Sequence, residues 1–325
     1  MTSTQQKNSI PILPYNKIVG QENLKMALEI AYIAGAKLGG VLVSGHRGTG
    51  KSTTVRAFAQ MMYDDLPVTL PINATEDRVV GGYKIDALMQ GDPVPQSGLL
   101  QDANGKILYI DEVNLLDDHI VNIILDTAAT GILSVQRQGI NIPASETHFT
   151  LVGTMNPEEG YLRPQLRDRF GLMAHIITHP EHRADILQTV LAFDMALAAE
   201  GKNDFLTHGY QADDTTKIEL NQAKAKQVSV DIPKPILEKC AELAEKFKAV
   251  GHRADFFLAL AARAQAARSG AVKVESEHLR DVAPLVLTHR RLEQSEHWFP
   301  ANNEEVAELL DIEAAPALNV SKKEP

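Results

Sequence analysis

The chain has 325 residues, 44% hydrophobic and 23% charged, with a formal net charge of −10. These are values of a globular protein long enough for two domains and a large core. The acidic balance argues against a general nucleic-acid binder, which needs a concentrated basic surface, and the lone Cys240 excludes an internal disulfide.

The polar stretch from Thr2 to Lys7 lacks the apolar core of a signal peptide, and no apolar run approaches the ~20 residues that span a bilayer. A cytoplasmic, reducing setting is the expectation. The first strand is Val41 to Val43. It leads into Gly45-His46-Arg47-Gly48-Thr49-Gly50-Lys51-Ser52, followed by a helical stretch to Met62. This is the G-x-x-x-x-G-K-[ST] phosphate loop in its strand-loop-helix setting. Its glycines let backbone N–H groups close around phosphate oxygens at a helix N-terminus. The nucleotide contacts expected from it are Gly45, Gly48, Thr49, Gly50, Lys51, Ser52 and Thr53, with Lys51 on the β/γ-phosphates and the Ser52 hydroxyl on Mg²⁺.

Further strands are expected at Val68 to Ile72, Ile107 to Ile110, Phe149 to Val152 and His175 to Thr178, alternating with helices as in a parallel α/β sheet. Ile107 to Ile110 ends in Asp111-Glu112. A carboxylate at a strand end can hold Mg²⁺ through its water shell, and a second can polarise the attacking water; Asp111 takes the first role and Glu112 the second. Asp117 or Asp118 caps the next helix, which Gly131 stops. Two stretches look inserted: 75–100, bounded by turn residues, and 132–147, which alternates around Gln138-Gly139 as a hairpin. Extra elements on such a sheet serve partners or moving parts, or are plain loop variation.

Asn156, at a strand tip before Pro157, is either a γ-phosphate contact or a turn residue. Arg163, Arg167 and Arg169 lie beside Asp168, either as a solvated ion-pair surface or as the source of an arginine for a neighbour's γ-phosphate. Beyond Arg183 the chain turns helical. Residues 1–190 are expected to form the α/β domain, 191–229 a polar linker, 230–293 an all-α domain and 294–325 a loose tail. Arg253 falls in the first turn of a helix after Gly251, where a cation opposes the helix dipole. Contact with a bound phosphate would offset that; ordinary solvation is the alternative.

Together these residues resemble the AAA+ ATPases and, within them, the ATPase I subunit of magnesium chelatase. The resemblance lies in Gly45 to Arg56, Asn73 to Val79, Ile107 to Leu125 and Asn156 to Phe170, with weaker similarity through Val228 to Ala267 and Leu279 to Arg291. It implies a P-loop parallel-sheet ATPase domain followed by a helical lid, using ATP and Mg²⁺. It also implies Asn156 as sensor 1, Arg169 as arginine finger, Arg253 as sensor 2, and Val19 and Gln21 on the adenine side. The two inserts become the family's helix insert and hairpin. The implied assembly is a ring, commonly a hexamer, working with a larger integrin-like-domain subunit and a porphyrin-binding catalytic subunit. The segment after the phosphate-loop helix is shorter than in chelatase subunits, and 201–227 has no match. A remodelling ATPase with an integrin-like-domain partner and no tetrapyrrole is the alternative.

Overall fold

The computed structural model describes residues 11–92, 94–137, 140–177, 180–199, 203–249, 251–290 and 304–310. In chain order the elements are α1 (Glu22–Ala34), β1 (Val41–Ser44), α2 (Lys51–Tyr63), β2 (Val68–Leu70), α3 (Glu76–Val80), β3 (Gly81–Tyr83), α4 (Ile85–Leu88), β4 (Pro95–Ser97), α5 (Leu99–Asp102), β5 (Ile107–Ile110), α6 (Asp118–Thr130), β6 (Ile132–Arg137), β7 (Ile140–Glu146), β8 (Thr150–Met155), α7 (Pro164–Arg167), β9 (Leu172–His175), α8 (Arg183–Ala198), α9 (Asp204–Lys226), α10 (Lys234–Lys246), α11 (Arg253–Arg268), α12 (Ser276–Leu287) and α13 (Glu304–Leu309).

Five parallel strands form the central sheet in the order β2-β5-β8-β1-β9. Every residue of β1 and β5 is buried, as expected of short apolar strands covered on both faces. The register sets Ser44 beside Met155 and Ile110 beside Gly153. The C-terminal ends of β1, β8 and β5 are therefore neighbours, and the residues after them meet at the crevice where open α/β sheets bind ligands. Asp117 caps α6, its carboxylate accepting from His119 N at 2.8 Å. The 75–100 insert holds short helices and the β3–β4 ribbon. The 132–147 insert holds the antiparallel β6–β7 pair; residues 138 and 139 lie outside the described residues.

Three expectations are corrected. The last strand is Leu172–His175, not His175 to Thr178, because Leu172-Met173-Ala174 pairs with β1 while Ile176 follows the strand; Thr178 lies outside the described residues. Residues 204–226, expected within a linker, form the 23-residue α9. Its sequence reads as polar because only Gly209, Asp213, Leu220 and Ala223 are buried, a stripe too thin for a clear apolar period. The Asp213 carboxylate accepts from Tyr15 N, Asn16 N and Asn16 Nδ2, each at 2.9 Å, tying α9 to the N-terminal segment. A Cβ on Gly209 would lie 2.6 Å from Pro14 Cγ, so glycine permits that close approach. Within the expected tail, α13 buries Val306 and Ala307, and Leu310 follows them into the interior.

The helices α10 to α12 pack around the alanine-rich α11, whose small side chains allow close helix contact. Their apolar core is continuous with that of α1, α2, β1 and β9. Across this junction Arg268 Nε donates to Glu29 Oε2 at 2.6 Å, and the Tyr15 hydroxyl donates to Glu29 Oε1 at 2.9 Å. The helical domain meets the sheet at the edge where β1 and β9 begin: His289 Nε2 donates to Phe170 O at 2.9 Å.

Candidate nucleotide site

The phosphate loop leaves β1 at Ser44 and enters α2 at Lys51. Gly48 and Gly50 have φ of +77° and +82°, the left-handed region that glycine adopts without steric cost. A Cβ on Gly48 would meet nothing within 4 Å, so the loop opens onto free space. Lys51 Nζ donates to Gly45 O at 2.5 Å and His46 O at 2.9 Å. Burial lowers the Lys51 pKa, against the opposing pull of Asp111, Glu112 and Glu159.

Four polar side chains organise the acidic side. The Ser52 and Tyr109 hydroxyls lie 2.8 Å apart, and Tyr109 donates to Asp111 Oδ1 at 3.1 Å. Thr154 Oγ1 donates to the same carboxylate oxygen at 2.7 Å and accepts from Glu112 N at 3.2 Å. Burial raises the Tyr109 pKa, so its proton stays available for these bonds. Glu112 is held at φ +55°, ψ 53°. Such left-handed backbone in a residue with a Cβ costs on the order of 1–3 kcal/mol and clusters at functional sites. Arg47 Nη2 lies 3.3 Å from Glu112 Oε1 and also pairs with Glu159. Asn156 is 3% exposed, and its Oδ1 accepts from Glu158 N at 3.3 Å.

Arg47 to Thr53, Asp111, Glu112, Thr154 and Asn156 line one cleft of about 460 Å³; Gly45, expected among the nucleotide contacts, does not, because its N–H donates to Met155 O at 3.2 Å. This donor set fits a magnesium–nucleotide complex: a hard cation takes carboxylate and hydroxyl oxygens, and free space faces Gly48. Lys51 and Ser52 would hold the phosphate side, and Ser52 and Asp111 the metal. When bound, the metal supplies charge neutralisation on the phosphates. Gln21 Nε2 donates to Thr49 O at 2.7 Å, placing Gln21 against the loop, and Gln21 Oε1 is buried without a hydrogen-bond partner among the described residues. Val19 is half-buried two residues away.

The arginines are elsewhere. Arg169 Nη1 donates to Asn122 Oδ1 at 3.0 Å and lies 2.9 Å from Asp126 Oδ1. Arg253 Nη1 donates to Asp168 Oδ2 at 2.9 Å, and Arg163 Nε is 2.6 Å from Asp118 Oδ2. Arg167 is half-buried, its Nε has no hydrogen-bond partner among the described residues, and burial lowers its pKa. None of the four lines the cleft. The Arg169 backbone lies beside Gly39 at the start of β1, with its guanidinium on α6, and Arg253 joins that loop through Asp168; the phosphate loop sits at the far end of β1. The length of a four-residue strand, about 13 Å, separates the two edges.

Tyr109, Thr154, Arg47 and Glu159 escaped the sequence reading. Tyr109 carried a usable signal, because residues two apart on a strand share a face and Asp111 follows Tyr109 by two. Thr154 comes from another strand and Arg47 and Glu159 from loops, so their parts emerge only in three dimensions.

A family model described as an AAA domain of the dynein-related subfamily matches residues 40–170, and an AAA lid domain matches residues 237–310. The chain is 38% identical over 314 residues to magnesium-chelatase subunit ChlI of Olisthodiscus luteus, covering 88% of this chain and 92% of that one. The chain belongs to the magnesium-chelatase I-subunit family of AAA+ ATPases. A second member, the magnesium-chelatase 38 kDa subunit of Chlorobaculum parvum, is 37% identical, with 94% and 97% of the two chains covered. An uncharacterised Mycobacterium tuberculosis protein is 40% identical over 285 residues, covering 86% of this chain but 44% of its own. Among solved structures, one from a BchI–BchD complex of magnesium chelatase, fitted to a single-particle reconstruction, superimposes with a TM-score of 0.50 at 35% identity, covering 88% of this chain and 98% of that one. A candidate ATPase from Cytophaga hutchinsonii gives 0.63 at 18% identity, with 94% and 93% covered, a likeness of fold alone. As an AAA+ ATPase of this family, the chain is an ATP hydrolase.

Proposed function

We propose that this AAA+ ATPase assembles into a ring, commonly a hexamer in this family, and drives insertion of Mg²⁺ or a similar ion into a tetrapyrrole as a chelatase I-type subunit. The observation that carries the reading is the separation of two half-sites: Lys51, Ser52, Asp111, Glu112 and Asn156 at one edge of the sheet, Arg169 and Arg253 at the other. Within one protomer neither arginine lines the cleft, whereas a head-to-tail ring would bring a neighbour's arginines to it.

In this reading Lys51 holds the β/γ-phosphates, Ser52 and Asp111 the metal, and Glu112 orients the attacking water. Asn156 senses the γ-phosphate, and Val19 and Gln21 flank the adenine. Arg169 and Arg253 reach the adjoining protomer's nucleotide, and Arg163 lies close enough in sequence to contribute. Hydrolysis changes the angle between the α/β domain and its helical lid, which meet across a shared core and the Arg268–Glu29 pair, and the two inserts pass that motion to partners. Those partners are a larger integrin-like-domain subunit and a porphyrin-binding catalytic subunit, where the tetrapyrrole chemistry takes place. Among the described residues no helix is long and apolar enough to cross a membrane, and we place the chain in the cytoplasm.

A second reading, a remodelling ATPase with an integrin-like-domain partner and no tetrapyrrole, is favoured by one observation: only residues 64–67 separate α2 from β2. Reconstitution with candidate partners and protoporphyrin decides between them. Chelation predicts ATP-dependent appearance of the metalloporphyrin fluorescence; robust ATP turnover without it selects the remodelling reading.

A further inference from the structure

We infer that Arg290 is a positioning residue that sets the loop carrying Asp168 and Arg169, and with it the arginines one protomer offers to its neighbour. This rests on the reading of Arg169 and Arg253 given above. Arg290 lies just beyond α12, and its side chain is 1% exposed. Nη2 donates to Asp168 O at 2.8 Å and Phe170 O at 2.6 Å, and Nη1 donates to Gly171 O at 3.3 Å and to Val286 O. Its carbonyl partners therefore bracket Arg169 on both sides. Nε is 3.3 Å from Asp168 Oδ1, whose other oxygen accepts from Arg253 Nη1. One carboxylate thus faces both lid arginines.

The Arg169 side chain leaves this braced loop in another direction, toward Asn122 and Asp126 on α6. The Arg290 guanidinium also stacks 5.0 Å from the centroid of the Phe257 ring on α11, and the adjoining His289 binds Phe170 O. Burying a guanidinium is costly in solvation; burial pushes the Arg290 pKa down to about 10 despite Asp168. An apolar side chain would fill this volume without that cost, but it would not hold three loop carbonyls at fixed positions. Lysine would keep the charge and lose the planar fork of five donors.

The test uses full-length rings of Arg290→Lys, with Arg290→Gln as a second variant should the first fail to fold. Three quantities are read: ATP turnover alone, affinity for a fluorescent ATP analogue, and turnover after mixing with Lys51→Ala subunits. The expected result is a turnover loss of about 10²-fold, the scale of an ångström-sized misplacement. Analogue affinity stays unchanged, since the variant's own cleft is intact. Turnover recovers with Lys51→Ala subunits, which supply a correctly held arginine loop. Wild-type turnover in Arg290→Lys overturns the inference. So does a loss that Lys51→Ala subunits fail to recover when they do recover Arg169→Ala in parallel. If Arg169→Ala itself is not recovered, the cross-protomer reading falls, and this inference with it.

Discussion

The Tyr109 hydroxyl lies 2.8 Å from Ser52 Oγ and donates to Asp111 Oδ1 at 3.1 Å, so one phenol spans the two side chains that would hold Mg²⁺. Tyr109→Phe removes that bridge while leaving the ring in the strand. We expect the magnesium-dependent part of nucleotide affinity to fall by about 1 kcal/mol, roughly fivefold. Titration of a fluorescent ATP analogue with and without Mg²⁺ checks this. An equal loss under both conditions would mean that Tyr109 supports the fold rather than the metal side.

Glu112 sits in left-handed backbone braced by Thr154, with its carboxylate beside Arg47. Glu112→Gln keeps the side chain's shape and removes its basicity. Turnover should drop by about 10²- to 10⁴-fold, the range for loss of a positioned acid–base group, with nucleotide affinity within a few-fold of wild type. Equal turnover in the two proteins would remove Glu112 from the reaction.

His289 is fully buried, and burial, reinforced by Arg290, holds its pKa well below the ordinary 6.5. A group with a depressed folded-state pKa favours folding above its unfolded pKa and loses that contribution as pH falls. The stability of the junction should therefore decline as pH drops below about 6.5. Denaturant midpoints for wild type and His289→Asn between pH 7.5 and 5 provide the check. Asn can still donate to Phe170 O but does not titrate, so its pH slope should be shallower; identical slopes would contradict the assignment.

Glu29 accepts from both Arg268 and Tyr15 at the junction of lid and α/β domain, with its side chain 8% exposed. Glu29→Ala leaves the buried Tyr15 hydroxyl without this acceptor and releases Arg268, which is partly solvated. A loss of about 2 kcal/mol is expected from chemical denaturation. A change below about 0.5 kcal/mol would show that apolar packing alone secures the lid.

Much of the α/β half is legible in the sequence because its signals are local. The phosphate loop is a contiguous pattern, and β1 and β5 are short apolar runs ending in it and in Asp111-Glu112. Helix α9 hid because its four buried positions are scattered along 23 mostly polar residues. Ile176 and Ile177 read as strand on composition, but the pairing partners on β1 end at Ser44, opposite His175. The packing of α13 rests on a few buried side chains, too short a pattern to separate from a tail. The places of Arg169 and Arg253 depend on how β1 and β9 pair and how the lid packs at their starting edge, and residue spacing alone does not encode that.

In the proposed ring, each protomer carries half of a hydrolytic site and needs a neighbour to complete it. The most direct measurement is ATP turnover per protomer across a dilution series, with assembly state followed in the same samples by sedimentation. Turnover should vanish as rings dissociate and return in proportion to assembled protein. Undiminished turnover by monomers would contradict the claim.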